Sequence, residues 1–225
     1  MPRPTEYPCT FDPVEHAYRD VHGRAHRSIT QILADCECSD FSMVDPFVLK
    51  RAAERGTIVH HLTAQWDRLR SHYPLNEFFI SEDVPVVLRG YVVQYEHFLR
   101  DTGFKAIHEE TERPRLVSIH GTIVGMTPDR VGHFPRNPRL VVLDIKTGIY
   151  QMSHPLQVAG YSMGIERVMR LAMMHERIAL YLTPTNYRLA YHPHQQDFYA
   201  MLDAIRGGGE YLDQWKQNQQ RKLLA

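Results

Sequence analysis

The chain has 225 residues, 43% of them hydrophobic, with 26 basic side chains against 26 acidic ones and a formal net charge of zero. That length and apolar content suffice for one domain with a sizeable core, and zero net charge excludes the global basic footprint of a protein that coats nucleic acid, so any such contact is local. No apolar run approaches the ~20 residues of a membrane span; three cysteines, Cys9, Cys36 and Cys38, form no even framework, and no secretory segment opens the chain, which gives a reducing cytoplasm as the expectation.

Phe11 to Ser28 reads as two short strands about a turn at His22-Gly23, a hairpin flap. Ser28 or Thr30 caps the helix begun by Ile29, Ile32 and Leu33; the free backbone N–H groups at its start suit a phosphate, and an ordinary cap without ligand is the plain alternative. Cys36-x-Cys38 lacks the second pair of a zinc site and reads as two incidental thiols. Asp45-Pro46 is a cap and first-turn pair for a helix over Phe47 to Arg70, with a break expected at Gly56. His60 and His61 lie on its second half, ~100° apart, so they do not both face one site. Arg51 and Arg55 share a face at i, i+4, suited to phosphates or equally to solvent.

After a turn-rich stretch from His72 to Asn76, a helix is expected from Ser81 to about Gly103. Phe104 to Glu112 and Leu116 to Val131 read as strands broken at Arg113-Pro114, and Glu109, Glu110 and Glu112 as an acidic strand edge rather than a metal site. Arg136-Asn137-Pro138 is the turn into Leu140 to Lys146, apolar on both alternating faces until Asp144, the pattern of a buried central strand. Gln157 and Tyr161 share one face of a helix from Ser153 to about Ala172. Arg177 to Leu182 and Tyr187 to Tyr191 form a strand hairpin, and Pro193 to Gln219 a helix interrupted at Gly207-Gly208-Gly209. The fold class is therefore α/β, a mixed central sheet flanked by helices. It is read as one domain in three parts: a hairpin and helical part over 1–103 carrying His60, a catalytic sheet over 104–192, and a C-terminal helix over 193–225.

Asp144 and Lys146, two apart on a strand, point to one side, with Ile145 on the other. Burying such charges costs on the order of several kcal/mol unless they are paired or hold a metal. Pro128-Asp129, then Asp144-x-Lys146 fifteen positions on, then Gln157-x-x-x-Tyr161, preceded by Arg55-Gly56-Thr57-Ile58-Val59-His60, resembles in order the motifs of the RecB-type exonuclease branch of the PD-(D/E)XK nuclease superfamily. The resemblance runs from Ser28 to Tyr161, and Ser28-Ile29-Thr30-Gln31-Ile32-Leu33 is similar to the subgroup holding the mitochondrial genome-maintenance exonuclease and related phage exonucleases.

The resemblance implies a restriction-endonuclease-like domain and metal-dependent hydrolysis of DNA, exonucleolytic and on single strands or free ends, in the cytoplasm of a bacterial or phage-infected cell. Asp129, Asp144 and Lys146 are its catalytic set. Asp129, Asp144, His60 and the backbone carbonyl of Ile145 would hold magnesium, which prefers oxygen ligands; the histidine nitrogen also suits manganese. Lys146 would position the attacking water. DNA contacts fall to Gln157, Tyr161, Ser28, Thr30, Arg51 and Arg55, with Tyr161 as the first base-stacking candidate. Some members of the branch hold an iron–sulfur cluster with one cysteine before the motifs and three after; no cysteine follows Tyr161, so no cluster is expected. A structure-selective endonuclease and a non-catalytic nucleic-acid-binding module with the same fold stand as the other readings.

Overall fold

A computed structural model of the chain describes residues 5–38, 44–72, 84–137, 139–170 and 176–224. The strand β9 (Val141–Lys146) is the middle of a mixed five-stranded sheet of order β11-β10-β9-β8-β5, formed with β5 (Lys105–Ala106), β8 (Arg130–His133), β10 (Glu176–Leu182) and β11 (Tyr187–Tyr191). β9 runs parallel to β10 and antiparallel to β8, and the other pairs are antiparallel. Its central place is why Val141, Val142 and Leu143 are all fully buried: helices cover both faces.

The two faces make two cores. Val141, Leu143 and Ile145 pack with Ile178, Leu180 and Leu182 against α2 (Pro46–His72) and α3 (Val86–Thr102). Val142, on the opposite face, joins α1 (Ile29–Asp35), α4 (Ser153–Met169), α5 (Gln195–Ile205) and α6 (Glu210–Leu224). Period-two alternation therefore sends Asp144 and Lys146 to the α4 side. A second sheet, β1 (Glu6–Tyr7), β6 (Arg115–Ile119) and β7 (Thr122–Met126), packs against α4. The close approach of α4 to this sheet uses Gly164, where an added Cβ would meet Met126, and its approach to α1 uses Gly160, where one would meet Ile29.

Several expected elements differ. Phe11 to Ser28 holds a three-stranded sheet with β2 (Cys9–Asp12), β3 (Ala17–Asp20) and β4 (Ala25–His26); Gly23 at φ 77 lies in the turn between β3 and β4, and the extra strand precedes it. α2 runs unbroken through Gly56. The ~1 kcal/mol cost of a helical glycine is outweighed by packing along the helix, where Val59 and Trp66 are core residues. Phe104 to Glu112 is not one strand but β5 followed by a single 3-10 turn, His108–Glu110. Leu116 to Val131 is two strands and the start of a third, folded back at His120-Gly121, both at positive φ, the backbone of a tight two-residue hairpin. The C-terminal segment is interrupted where expected, as two helices parted by Gly207 and Gly208 at positive φ.

Other local signals match. Ser28 caps α1 in a capping box with Gln31, Asp45 accepts from the Phe47 N–H at the start of α2, and Gly103 at φ 67 ends α3. The expected helix start at Ser81, the turn from Tyr73 to Asn76, Pro138 and the end of the α4 reading at Ala172 lie outside the described residues. Among the described residues, no helix is long and apolar enough to cross a membrane.

Candidate active site

The register of β8 on β9 sets Arg130 opposite Leu143, which carries Asp129, one residue before the strand, to the level of Asp144. There the ladder ends and the Asp129 side chain takes over: Oδ2 accepts the Ile145 N–H at 2.5 Å. His60 reaches the same point from α2. Its Nδ1 lies 3.0 Å from Asp129 Oδ1, and its Nε2 donates to the Ile145 carbonyl at 2.9 Å. Both partners are acceptors, an arrangement that favours the protonated ring. His61, one helical step on, is exposed.

On the α4 side, Lys146 Nζ lies 2.5 Å from Asp144 Oδ2 and donates to Gln157 Oε1 at 2.8 Å. Gln157 Nε2 donates to the Tyr161 hydroxyl at 3.0 Å and, at 3.4 Å, to Asp144 Oδ1. One amide thus ties the acid, the lysine and the tyrosine together. Asp144 Oδ2 is buried with no hydrogen-bond partner, so its contact with Lys146 is a charge pair without hydrogen-bond geometry.

Asp129 and Asp144 are 6% and 1% exposed, and their carboxyls are pushed apart. Burial raises Asp144 and the Asp129 charge adds to it, against the pull of Lys146; the net shift is upward. Burial acts on Asp129 in the same sense, but the His60 charge and hydrogen bond, with the Lys146 charge and the Ile145 N–H, together outweigh it and the net shift is downward. His60 shows the complementary change: burial lowers it, Asp129 raises it, and the net is a rise. Two neighbouring carboxyls with opposed shifts are the arrangement expected where they serve different roles.

Among the described residues, no three His, Cys, Asp or Glu side chains cluster to hold an ion by side chains alone. The donors at the end of β9 are mixed: Asp129, His60 and the Ile145 carbonyl are tied by hydrogen bonds, and Asp144, with an unsatisfied buried oxygen, stands beside them with Lys146 and Gln157. That set suits a hard divalent cation, provided His60 releases a proton and one of its two hydrogen bonds.

The residues expected to touch DNA divide. Gln157 is 9% and Tyr161 6% exposed, so neither guides a strand from this position. The Tyr161 ring is packed in the core and has no face to offer a base, and its hydroxyl holds Gln157. Gln157 holds the Lys146 ammonium, and Tyr161 holds Gln157. Ser28 is buried, and its hydroxyl is taken by the Gln31 N–H and by Thr30, so the start of α1 is already capped. Arg55 donates to the Thr147 carbonyl at 3.2 Å and fixes the loop that follows Lys146. Arg51 is exposed beside the Phe47 ring and is free to meet phosphate.

Sequence reasoning missed the support beneath Asp129. Arg130 is fully buried and donates to Asp67, to the Tyr95 hydroxyl at 3.2 Å, to Thr63 Oγ1 at 2.9 Å and to the Asp129 carbonyl at 2.7 Å. Glu112, read as an edge residue, instead lies 3.5 Å from Arg130 Nη1 at φ 47. Burial and the nearby Asp129 charge raise its carboxyl. The only signal in the sequence was an arginine directly following Asp129 at the start of a short strand.

Tyr161→Ala should lower the melting temperature by on the order of 10 °C, from a large-to-small core loss of ~3–5 kcal/mol. Tyr161→Phe should cost about 1 kcal/mol, the Gln157 bond alone. Thermal melts beside DNA-binding measurements check this; a Tyr161→Ala protein of unchanged stability and weakened DNA binding would restore the stacking role.

No protein-family profile matches the chain, and no curated protein sequence matches it. Among solved structures, the chain is similar to one described as the crystal structure of SSO0001, at 19% sequence identity and a TM-score of 0.32. That match covers 56% of this chain and 63% of the other, less than two thirds of its length.

Proposed function

We propose that the chain is a metal-dependent deoxyribonuclease of the PD-(D/E)XK type, an exonuclease acting on single strands or free DNA ends. The observation that carries this reading is the convergence of Asp129, Asp144, Lys146 and His60 at the end of the central strand, with both carboxylates buried. A structural strand end has no use for four ionisable groups whose burial opposes folding.

Asp129, Asp144, the Ile145 carbonyl and His60 would hold a divalent cation, magnesium or manganese. The chemistry it supplies when bound is a water of lowered pKa and neutralisation of charge on the phosphate. The chain does the rest. Gln157 fixes the Lys146 ammonium through its Oε1, aiming a positive charge where the phosphate oxygens gain negative charge. Arg55 holds the backbone just beyond Lys146, so the lysine leaves the sheet in one direction. Arg130 fixes the Asp129 backbone from below.

The test is digestion of end-labelled linear single-stranded DNA beside its circular form, with magnesium and with chelator. Loss of the linear form alone supports the exonuclease. Cleavage of the circle gives the structure-selective endonuclease, and binding of both without cleavage gives the non-catalytic module. His60→Ala should slow cleavage by roughly 10–100-fold, partly restored by raised manganese, because the carboxylates remain. His61→Ala should change nothing; the opposite ranking of the two would remove His60 from the site.

A further inference from the structure

A cavity of about 960 Å³ lies at the other end of the sheet from Asp144. Its floor is Arg177, paired in register with Val142 near the start of β9, whereas the site residues are at the end of that strand. Arg167 and Arg170, which also line it, follow Gln157 by ten positions or more on and just past α4, about 15 Å along the helix axis. The two share no lining residue, although Val142, opposite Arg177, is two residues from Asp144 on the same face of the sheet.

Two buried groups in this cavity lack partners. Arg177 is 4% exposed; its Nη2 donates to the His194 carbonyl at 3.0 Å and its guanidinium lies 4.2 Å from the Phe198 ring centre, while Nη1 has no hydrogen-bond partner. His192, 8% exposed, donates its backbone N–H to the Arg177 carbonyl at 2.9 Å, and its Nε2 also has no partner. A buried polar atom left unpaired costs about 1–3 kcal/mol, more when charged, so each of these two atoms calls for a partner that bound water or a ligand supplies.

The surroundings specify that ligand. Arg139, Arg167 and Arg170 stand exposed around Arg177, and among the described residues none of the four arginines forms an ion pair. The lining also carries Glu166 and Glu176, the latter bonded to Asn137 at 2.6 Å, and the charge of buried Asp197 acts on Arg177 as well, so four arginines face three acids. Such a cluster selects a phosphate. The volume is far more than an inorganic phosphate fills and lies within the ~300–1,000 Å³ of small-molecule sites. Tyr191 and Tyr199, 54% and 45% exposed, give aromatic faces at the same cavity, suited to a planar base.

We propose that this cavity is a second, non-catalytic binding site for a nucleoside monophosphate, its phosphate on Arg177 and His192 and its base against the tyrosines. The proposal does not rest on the nuclease reading. The nucleotide comes either free or as the phosphorylated end of a strand.

Calorimetric titration of the full chain with dTMP and dAMP in chelator tests it. Binding with a Kd below about 1 mM is expected, at least tenfold weaker in Arg177→Gln and several-fold weaker in the exposed double variant Arg167→Gln/Arg170→Gln, with shallower salt dependence. Asp144→Asn should bind as wild type, which keeps this site distinct from the carboxylates. Competition by a 5′-phosphorylated oligonucleotide but not its 5′-hydroxyl form assigns the ligand to a strand end; failure of both to compete assigns it to the free nucleotide. If Arg177→Gln does not fold, as judged by its melt, the exposed double variant decides. No binding at about 5 mM nucleotide, or affinity unchanged in the exposed double variant, overturns the proposal.

Discussion

Asp144→Asn is expected to slow DNA cleavage in magnesium by roughly 10³-fold or more, about 4 kcal/mol of transition-state stabilisation, while DNA binding stays within a few-fold. The substitution keeps the shape of a side chain that is 1% exposed and removes only its charge. Stability should hardly fall. Burial already works against the charge on Asp144, as the upward shift of its carboxyl shows, and an amide does not carry that cost. Lys146 loses its ion-pair partner but keeps Gln157. Single-turnover cleavage of labelled single-stranded DNA, with a melt of the same preparation, checks both halves. Unchanged turnover would remove Asp144 from the chemistry; a collapse of the melt would make it a structural residue.

Arg130→Met is expected to destabilise the protein by about 3–5 kcal/mol, a large share of the ~5–15 kcal/mol available to a domain. The cost lies in what stays behind. Asp67 and Glu112, with side chains only 9% and 23% exposed, lose their cation, and Tyr95, Thr63 and the Asp129 carbonyl lose a donor. Arg130→Met combined with Asp67→Leu should recover much of the loss, since removing both charges of a buried pair is far cheaper than removing one. Chemical denaturation of the single and double variants measures this. Equal destabilisation by the single and double changes would show that packing, not charge, dominates at this position.

The network also shows what kind of feature escapes a sequence. Asp67 and Arg130 are 63 positions apart, on a helix and a strand whose patterns give no sign that they meet. Likewise Arg55 and Thr147, 92 positions apart, meet where α2 passes the loop after Lys146. The broken helix read at Gly56 was a fair inference from propensity alone, and tertiary packing reversed it. The stacking role expected of Tyr161 rests on an exposure that spacing does not give. Spacing at i, i+4 says that Gln157 and Tyr161 share a face of α4, not whether that face meets solvent or core, and it meets the core.

What the sequence by itself determined is local or periodic. The cap at Ser28, the start at Asp45-Pro46, the stop at Gly103, the hairpin of β10 and β11 and the burial of β9 follow from short-range backbone chemistry and from alternation along one strand. The same alternation put Asp144 and Lys146 on one side, and the order of the motifs named the residues of the candidate site. Only the tertiary structure decided their partners: His60 on Asp129 and Ile145, Gln157 between Lys146 and Asp144, Arg130 beneath, and the arginine-lined cavity at the far end of the sheet. The reason is physical. A periodic pattern records that a side chain is taken out of water, and the burial cost then demands a partner, but which partner is set by the crossing of elements far apart in the chain.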